Sequence, residues 1–176
     1  MADEADDIRD ARCGDGEAYR RLVCRHQQEI ARRLRRFSRD SLAIEEMVQE
    51  TFVQAYFSLD RYRGEAPFEH WLHRIAVRVG YRYWKLKRHA GQTTTIEGQP
   101  LASSRNHDPT DDVEKLHRVL DQLSSRDRLV VTLLYLEERS AEETAKLTGW
   151  SKTMVKVQAF RARAKLKKLM TEADKR

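Results

Sequence analysis

Proline occurs three times, glycine seven times and cysteine twice in the 176 residues. With so few breakers, and with 35% of the residues charged, a loop-rich β fold is disfavoured and long helices are expected. Cys13 and Cys24 are too few for a disulfide framework, and no CxxC pair offers a zinc site. Both are expected to be reduced, small buried or idle thiols. No apolar run approaches the roughly 20 residues of a membrane span, and the acidic start MADEADD is not a signal peptide. The expectation is a soluble, cytoplasmic chain without a membrane segment. A Gly-rich phosphate loop, a nucleophile elbow and metal-ligand spacings are also missing. No catalytic residue, cofactor or metal is therefore assigned, and no internal repeat is visible.

What is present is charge, unevenly spread. The net charge is +6, from 34 basic and 28 acidic residues. Four acids fall in the first seven residues, Asp3, Glu4, Asp6 and Asp7. The basic excess lies in particular helices, and clustered positive charge suggests a polyanion partner.

The chain is organised around Ser140–Leu169. Ser140 and Glu143 form a capping box that starts a helix. Gly149 supplies the turn that ends it, and Ser151 caps a second helix. There Val155, Ala159, Ala162, Leu166 and Leu169 share one face. Lys152, Lys156, Arg161, Arg163, Lys165 and Lys168 lie on the other. A helix, a tight glycine turn and a basic helix have the shape of a helix-turn-helix, whose second helix a major groove admits. The same pattern also fits two surface helices of any bundle.

Upstream, residues 1 to about 14 read as a frayed acidic lead-in. Asp15 caps a helix whose stripe is Tyr19, Leu22, Val23, His26, Ile30, Leu34 and Phe37. His26 lies on that stripe as a hydrogen-bonded, partly buried group. A helix from about Leu42 to Leu59 buries Ile44, Met47, Val48, Thr51, Phe52, Ala55 and Leu59. Its outer face carries Glu45, Glu46, Gln49 and Glu50, either a solvated surface or a docking surface. After a loop at Tyr62–Pro67, a helix from about Phe68 to Lys87 buries Phe68, Trp71, Leu72, Ile75, Ala76, Val79 and Tyr83. Eight Arg or Lys stand against two acids from Arg61 to Arg88. Tyr62, Tyr81 and Trp84 are interleaved with them, a mixture suited to single-stranded nucleic acid. His70 and His73, without neighbouring ligand types, read as surface or DNA-facing groups rather than a metal pair.

Ala90–Asp112 is rich in Gly, Pro, Ser, Thr and Asn and reads as a flexible linker. A metal cluster of His107, Asp108, Asp111 and Asp112 would lack a rigid frame there. Beyond it, Val113, Leu116, Leu120 and Leu123 mark one helix. Ser124-Ser125 starts another, with Leu129, Val130, Leu133 and Leu134 inward. The fold class expected is all-α, with two small helical domains, residues 1–89 and 112–176, joined by a linker over 90–111.

These motifs together resemble the extracytoplasmic-function (ECF) group of bacterial RNA polymerase sigma factors. Ile44-Glu45-Glu46-Met47-Val48-Gln49-Glu50-Thr51-Phe52 is similar to that family's A-E-D-L-V-Q-E-x-F. Phe68-Glu69-His70-Trp71-Leu72-His73-Arg74-Ile75-Ala76 is similar to its F-x-x-W-L-x-x-I-A. The segments Leu123–Arg128, Glu142-Glu143-Thr144-Ala145 and Thr153–Leu166 resemble, in order, its region four. The likeness covers about Asp15 to Leu169.

The resemblance implies roles. Residues 1–89 would be sigma region 2, with Glu45, Glu46, Gln49 and Glu50 docking on the clamp helices of the largest subunit of core RNA polymerase. Tyr62, Arg63, His70, Arg74, Arg78, Arg82 and Lys85 would hold the melted minus-ten strand, with a flipped base near the loop. Residues 112–176 would be region 4. Its Ser151, Lys152, Thr153, Lys156, Gln158, Arg161 and Arg163 would meet minus-thirty-five promoter DNA, and its apolar helices from Val113 to Leu136 the flap of the second-largest subunit. An anti-sigma factor, soluble or membrane-bound, is the implied regulator.

Val77-Arg78 displaces the family's usual Asn. Ser124 replaces a Pro, Thr144 an apolar residue, and Val157-Gln158 the usual Ser-Arg. Promoter sequence preferences therefore do not transfer, and Thr144 is expected to soften packing. The alternative reading, a stand-alone helix-turn-helix regulator, accounts for Ser140–Leu169 but not for the two upstream motifs.

Overall fold

Four carboxylates in a row of seven residues would not hold a helix by themselves, yet the chain begins with one. The computed structural model describes residues 3–93 and 111–173, and α1 spans Glu4–Arg12. The frayed lead-in expected from composition is corrected here. Asp7 is fully buried, and its carboxylate accepts from Arg21 Nε at 2.7 Å and Arg25 Nη2 at 3.2 Å. Glu4 Oε1 lies 2.7 Å from His26 Nε2. The acids of α1 thus answer basic groups of the next helix, and Ala11 is buried beneath them.

α2 spans Gly16–Leu34, capped by the Asp15 carboxylate, which accepts from the N–H groups of Glu17 and Ala18. α3 spans Ser41–Ser58 behind the cap Asp40, and a short 3₁₀ turn, Leu59–Arg61, follows. The stripes expected for both helices are inward: Leu22, Ile30, Leu34, Met47, Phe52 and Ala55 are buried. Cys13 and Cys24, expected as buried or idle thiols, are both exposed. The Tyr19 hydroxyl donates to the Phe52 carbonyl at 2.5 Å, joining α2 to α3. α4 spans Phe68–Thr93 and so runs further than the end expected at Lys87. Phe68, Leu72, Ile75, Ala76, Val77 and Val79 are buried along it.

Contacts divide the chain at Tyr83–Trp84, inside α4. In the second unit, α5 spans Asp111–Gln122, α6 Ser125–Val131, α7 Ala141–Thr148 and α8 Lys152–Ala173. Between α6 and α7, Thr132–Leu136 forms one π turn, closed by the Glu137 N–H donating to the Thr132 carbonyl at 2.9 Å. Leu120, Leu123, Val131 and Ala162 form a buried cluster, with Leu116, Leu166 and Leu169 packed on it. All regular structure among the described residues is helical. Most of the expected linker, with His107 and Asp108, lies outside the described residues.

Candidate nucleic-acid and protein interfaces

The turn expected at Gly149 has the geometry such a turn needs. Ser140 and Glu143 form a complete capping box at the start of α7. Gly149 has φ of 76°, the left-handed conformation that glycine adopts without steric cost. The Ser151 hydroxyl accepts from the Met154 N–H at 3.1 Å and begins α8. Val155 and Ala162 are fully buried, which turns the opposite face outward. Ser151, Lys152, Thr153, Lys156, Arg161 and Arg163 are all exposed there. The Lys152 ammonium stands 3.6 Å from Glu142 of α7. The hydrogen bonds and charge of Lys146, then the charge of Lys152, hold that carboxyl below the usual range.

Gln158 is placed differently from its neighbours. It is half-buried, and its side-chain amide donates to the Asp127 carboxylate at 2.6 Å. Two apolar residues share the outer face: Val157, 45% exposed and noted in the sequence only as a departure from the family pattern, and Phe160, 76% exposed and not singled out there. Apolar side chains on a basic helix can meet thymine methyl groups in a major groove. Their offsets from Lys156 were the available signal.

On α3, Glu45, Glu46 and Gln49 are exposed and Glu50 is half-buried. The Glu50 carboxylate accepts from Arg82 at 2.6 Å and from Gln54 at 2.8 Å, and these two bonds hold its pKa below the ordinary value. An expected docking residue and an expected DNA contact are thus partners. The stripe continues past Gln49 through Val53 and Tyr56, both about half exposed, to Phe57 at 81%. With Tyr19 and Phe52 these line an apolar groove of about 310 Å³. None of the three was singled out from sequence, because the apolar run on both sides of α3 hides its outer stripe.

Along the loop and α4, Arg63, His70, Arg78, Arg82 and Lys85 are exposed, and Tyr62 and Arg74 are half-buried. Tyr62 packs with Phe68 and Trp71 at ring separations of 5.4 Å, and its hydroxyl donates to the Ala66 carbonyl at 2.7 Å. Burial, then the nearby Glu4 charge, pushes that phenol up. Two expectations are corrected. His73 is buried, with Nδ1 3.3 Å from Arg33, rather than at the surface. Trp84 is buried too, its ring 4.4 Å below the Arg128 guanidinium. A helix wheel cannot see the cover that a distant residue provides.

Comparison with known proteins resolves the choice that the geometry leaves. Residues 22–90 match the family model Sigma-70 region 2, and residues 113–166 match Sigma-70, region 4. The RNA polymerase sigma factor YlaC of Bacillus subtilis is 30% identical over 86% of this chain and 91% of its own length. The ECF RNA polymerase sigma-E factor of Salmonella typhimurium is 27% identical, covering 85% of each chain. The chain belongs to the ECF sigma factors. Among solved structures, CnrH in complex with the cytosolic domain of CnrY matches this sigma factor with a TM-score of 0.61 and 26% identity, over 94% of this chain and 96% of that one. As a member of the family this sigma factor is a transcription initiation factor, and both matched regions fall on the surfaces described above. No group of metal-ligating side chains occurs among its described residues, and no helix there is long and apolar enough to cross a membrane.

Proposed function

We propose that this sigma factor divides promoter recognition between its two units, with α3 docking on core polymerase and α4 and α8 contacting promoter DNA. The observation that carries the division is the chemistry of the exposed faces. α3 presents Glu45, Glu46 and Gln49 followed by Val53, Tyr56 and Phe57, an acidic and apolar stripe suited to a protein partner. α8 presents Lys152, Thr153, Lys156, Arg161 and Arg163 with no acidic residue among them, a face suited to duplex phosphates and base edges. On α4, Arg74, Arg78, Arg82 and Lys85, with Tyr62, Arg63 and His70 at its start, are the residues for the minus-ten strand. Arg82 is free for phosphate only once Glu50 lets it go. The partner of α3 is the clamp of the largest subunit, and that of α5 and α6 the flap of the second-largest. Region 2 ends near residue 89 and region 4 starts near 112 in this reading, which the extents of the two family matches support.

The protein performs no chemical step of its own in this reading; it lends recognition and strand capture to the polymerase in the cytoplasm. CnrH was solved with the cytosolic domain of CnrY, which supports an anti-sigma partner for this chain as well.

Co-purification with bacterial core polymerase, followed by run-off transcription from a genomic fragment pool, tests the assignment. The paired substitution Glu45→Lys and Glu46→Lys is expected to abolish co-purification. Lys156→Ala with Arg161→Ala is expected to retain it and to lose transcription from selected promoters. Equal loss of polymerase binding by both variants contradicts the division of labour.

A further inference from the structure

One buried titratable group belongs to neither surface. Asp127, fully shielded from solvent, stands in the first turn of α6. Its Oδ2 accepts from Ser124 Oγ and from Lys165 Nζ, each at 2.6 Å, and its Oδ1 from Gln158 Nε2 at 2.6 Å. Two of the three donors come from α8. Gln158 and Lys165 are seven residues apart, two turns along one face, and Ala162 between them is fully buried. A carboxylate withdrawn from water is costly unless it is paired and fully hydrogen-bonded. Burial by itself would raise its pKa, yet the bonds from Lys165, Ser124 and Gln158 outweigh it and the net direction is down. The group is therefore charged at neutral pH and holds both α8 side chains.

We infer that Asp127 is a positioning residue for duplex recognition: by gripping Gln158 and Lys165 it fixes the rotation of α8 and withdraws both from the DNA-contacting set. Thr153, Lys156, Val157 and Phe160 are left as the face that reads the groove. The inference rests on α8 being the minus-thirty-five helix. A rotation of about 20° moves a side-chain tip by about 2 Å, given a helix radius with side chains of about 5–6 Å. A placed polar contact tolerates only about 0.5 Å, so a rotation lock acts on every base contact together.

Duplexes selected by the full chain give its preferred site. Affinity for that site and for a scrambled duplex is then measured over a salt series in the wild type, Asp127→Asn, Gln158→Ala and the double variant. Asp127→Asn is expected to lower the specific-to-scrambled ratio at least tenfold. It also steepens the salt slope by about 0.9, because the freed Lys165 can meet a phosphate. Gln158→Ala relaxes all positions of the site together, and the double variant is no worse than the larger single effect. An unchanged ratio in Asp127→Asn overturns the inference, and so does relaxation at one base pair in Gln158→Ala with additive effects in the double.

Lys165→Met keeps the carboxylate bonded to Ser124 and Gln158, and serves where Asp127→Asn does not fold. It leaves the salt slope unchanged if Lys165 is already engaged; a slope shallower by about 0.9 overturns the inference. The side-chain amide resonance of Gln158 reports the tether without DNA, shifted and protected in the wild type and solvent-like in Asp127→Asn. A solvent-like wild-type resonance with intact duplex preference overturns the positioning role alone. A tethered Gln158 in a protein with no duplex preference overturns the minus-thirty-five reading and the positioning role with it.

Discussion

The ring of Phe37 fills the space that a side chain at Gly80 would need. A Cβ added at residue 80 would stand 2.7 Å from Phe37 Cδ2 and nearer still to Cγ and Cδ1. Glycine inside a long helix ordinarily costs about 1 kcal/mol relative to alanine, so Gly80→Ala would stabilise an open site. Here the atoms met belong to a buried ring, and overpacking costs about 1–3 kcal/mol. Gly80→Ala is expected to lower the urea midpoint, and Phe37→Leu in the same chain to recover part of the loss. A stabilised Gly80→Ala would mean that the ring swings aside.

Asp7 makes α1 part of the first unit rather than a tail. Removing its carboxylate leaves Arg21 and Arg25, both partly exposed, without their shared partner. A hydrogen bond to a charged group contributes about 1.5–3 kcal/mol. Asp7→Ala is therefore expected to destabilise the protein by about 2 kcal/mol in chemical denaturation. Deletion of residues 1–12 should cost at least as much, whereas a frayed segment could be removed at no cost.

Much of the fold was legible because it is periodic or local. Asp15, Ser124, Ser140, Gly149 and Ser151 announce helix ends through their own chemistry. The buried stripes of α2, α3 and α8 repeat at three and four residues, and the order of two separated modules pointed to the family. What escaped depends on partners distant in sequence. α1 is acidic and short, and its carboxylates find their partners in Arg21, Arg25 and His26 of α2. Trp84 is hidden under Arg128, and His73 is placed against Arg33. Gln158 stands among basic exposed residues in sequence, but its amide faces a carboxylate 31 positions earlier. Val53, Tyr56 and Phe57 were lost in an apolar run whose two faces periodicity could not separate.

Thr144 stands where the family has an apolar residue, and the structure buries it inside α7. Its side chain is fully buried, and its hydroxyl has no hydrogen-bond partner among the described residues. An unsatisfied buried hydroxyl costs about 1–3 kcal/mol. Valine has nearly the same shape without that group. Thr144→Val should raise the thermal midpoint of the second unit, by an amount corresponding to about 1 kcal/mol, with duplex binding unaltered. A lowered midpoint would show that the hydroxyl is satisfied by solvent.

Glu138 has φ of 52°, left-handed backbone in a residue with a side chain. That conformation costs about 1–2 kcal/mol, while glycine gives back up to about 1 kcal/mol through its freer unfolded state. Glu138→Gly is expected to stabilise by about 0.5 kcal/mol net and Glu138→Val to destabilise. Denaturant midpoints that rank the variants in the reverse order contradict the strain.

Asp127 also sets a pH dependence with a definite sign. Its folded pKa lies below its unfolded one, because the three hydrogen bonds outweigh the effect of burial. Such a group contributes stability above the unfolded aspartate value of about 3.9. That contribution fades as pH falls from there through the folded value. Other carboxylates, Glu142 and Glu143 among them, are held low as well, so acid unfolding of the wild type alone does not isolate the effect. The difference between wild type and Asp127→Asn does. The stability gap between them should be constant from neutral pH down to about 5, then narrow below about 4 as the wild-type carboxylate takes up its proton. A gap of the same size at pH 3 and pH 7 would mean that the two proteins differ in packing, and that the charge on Asp127 is not what holds Gln158 and Lys165.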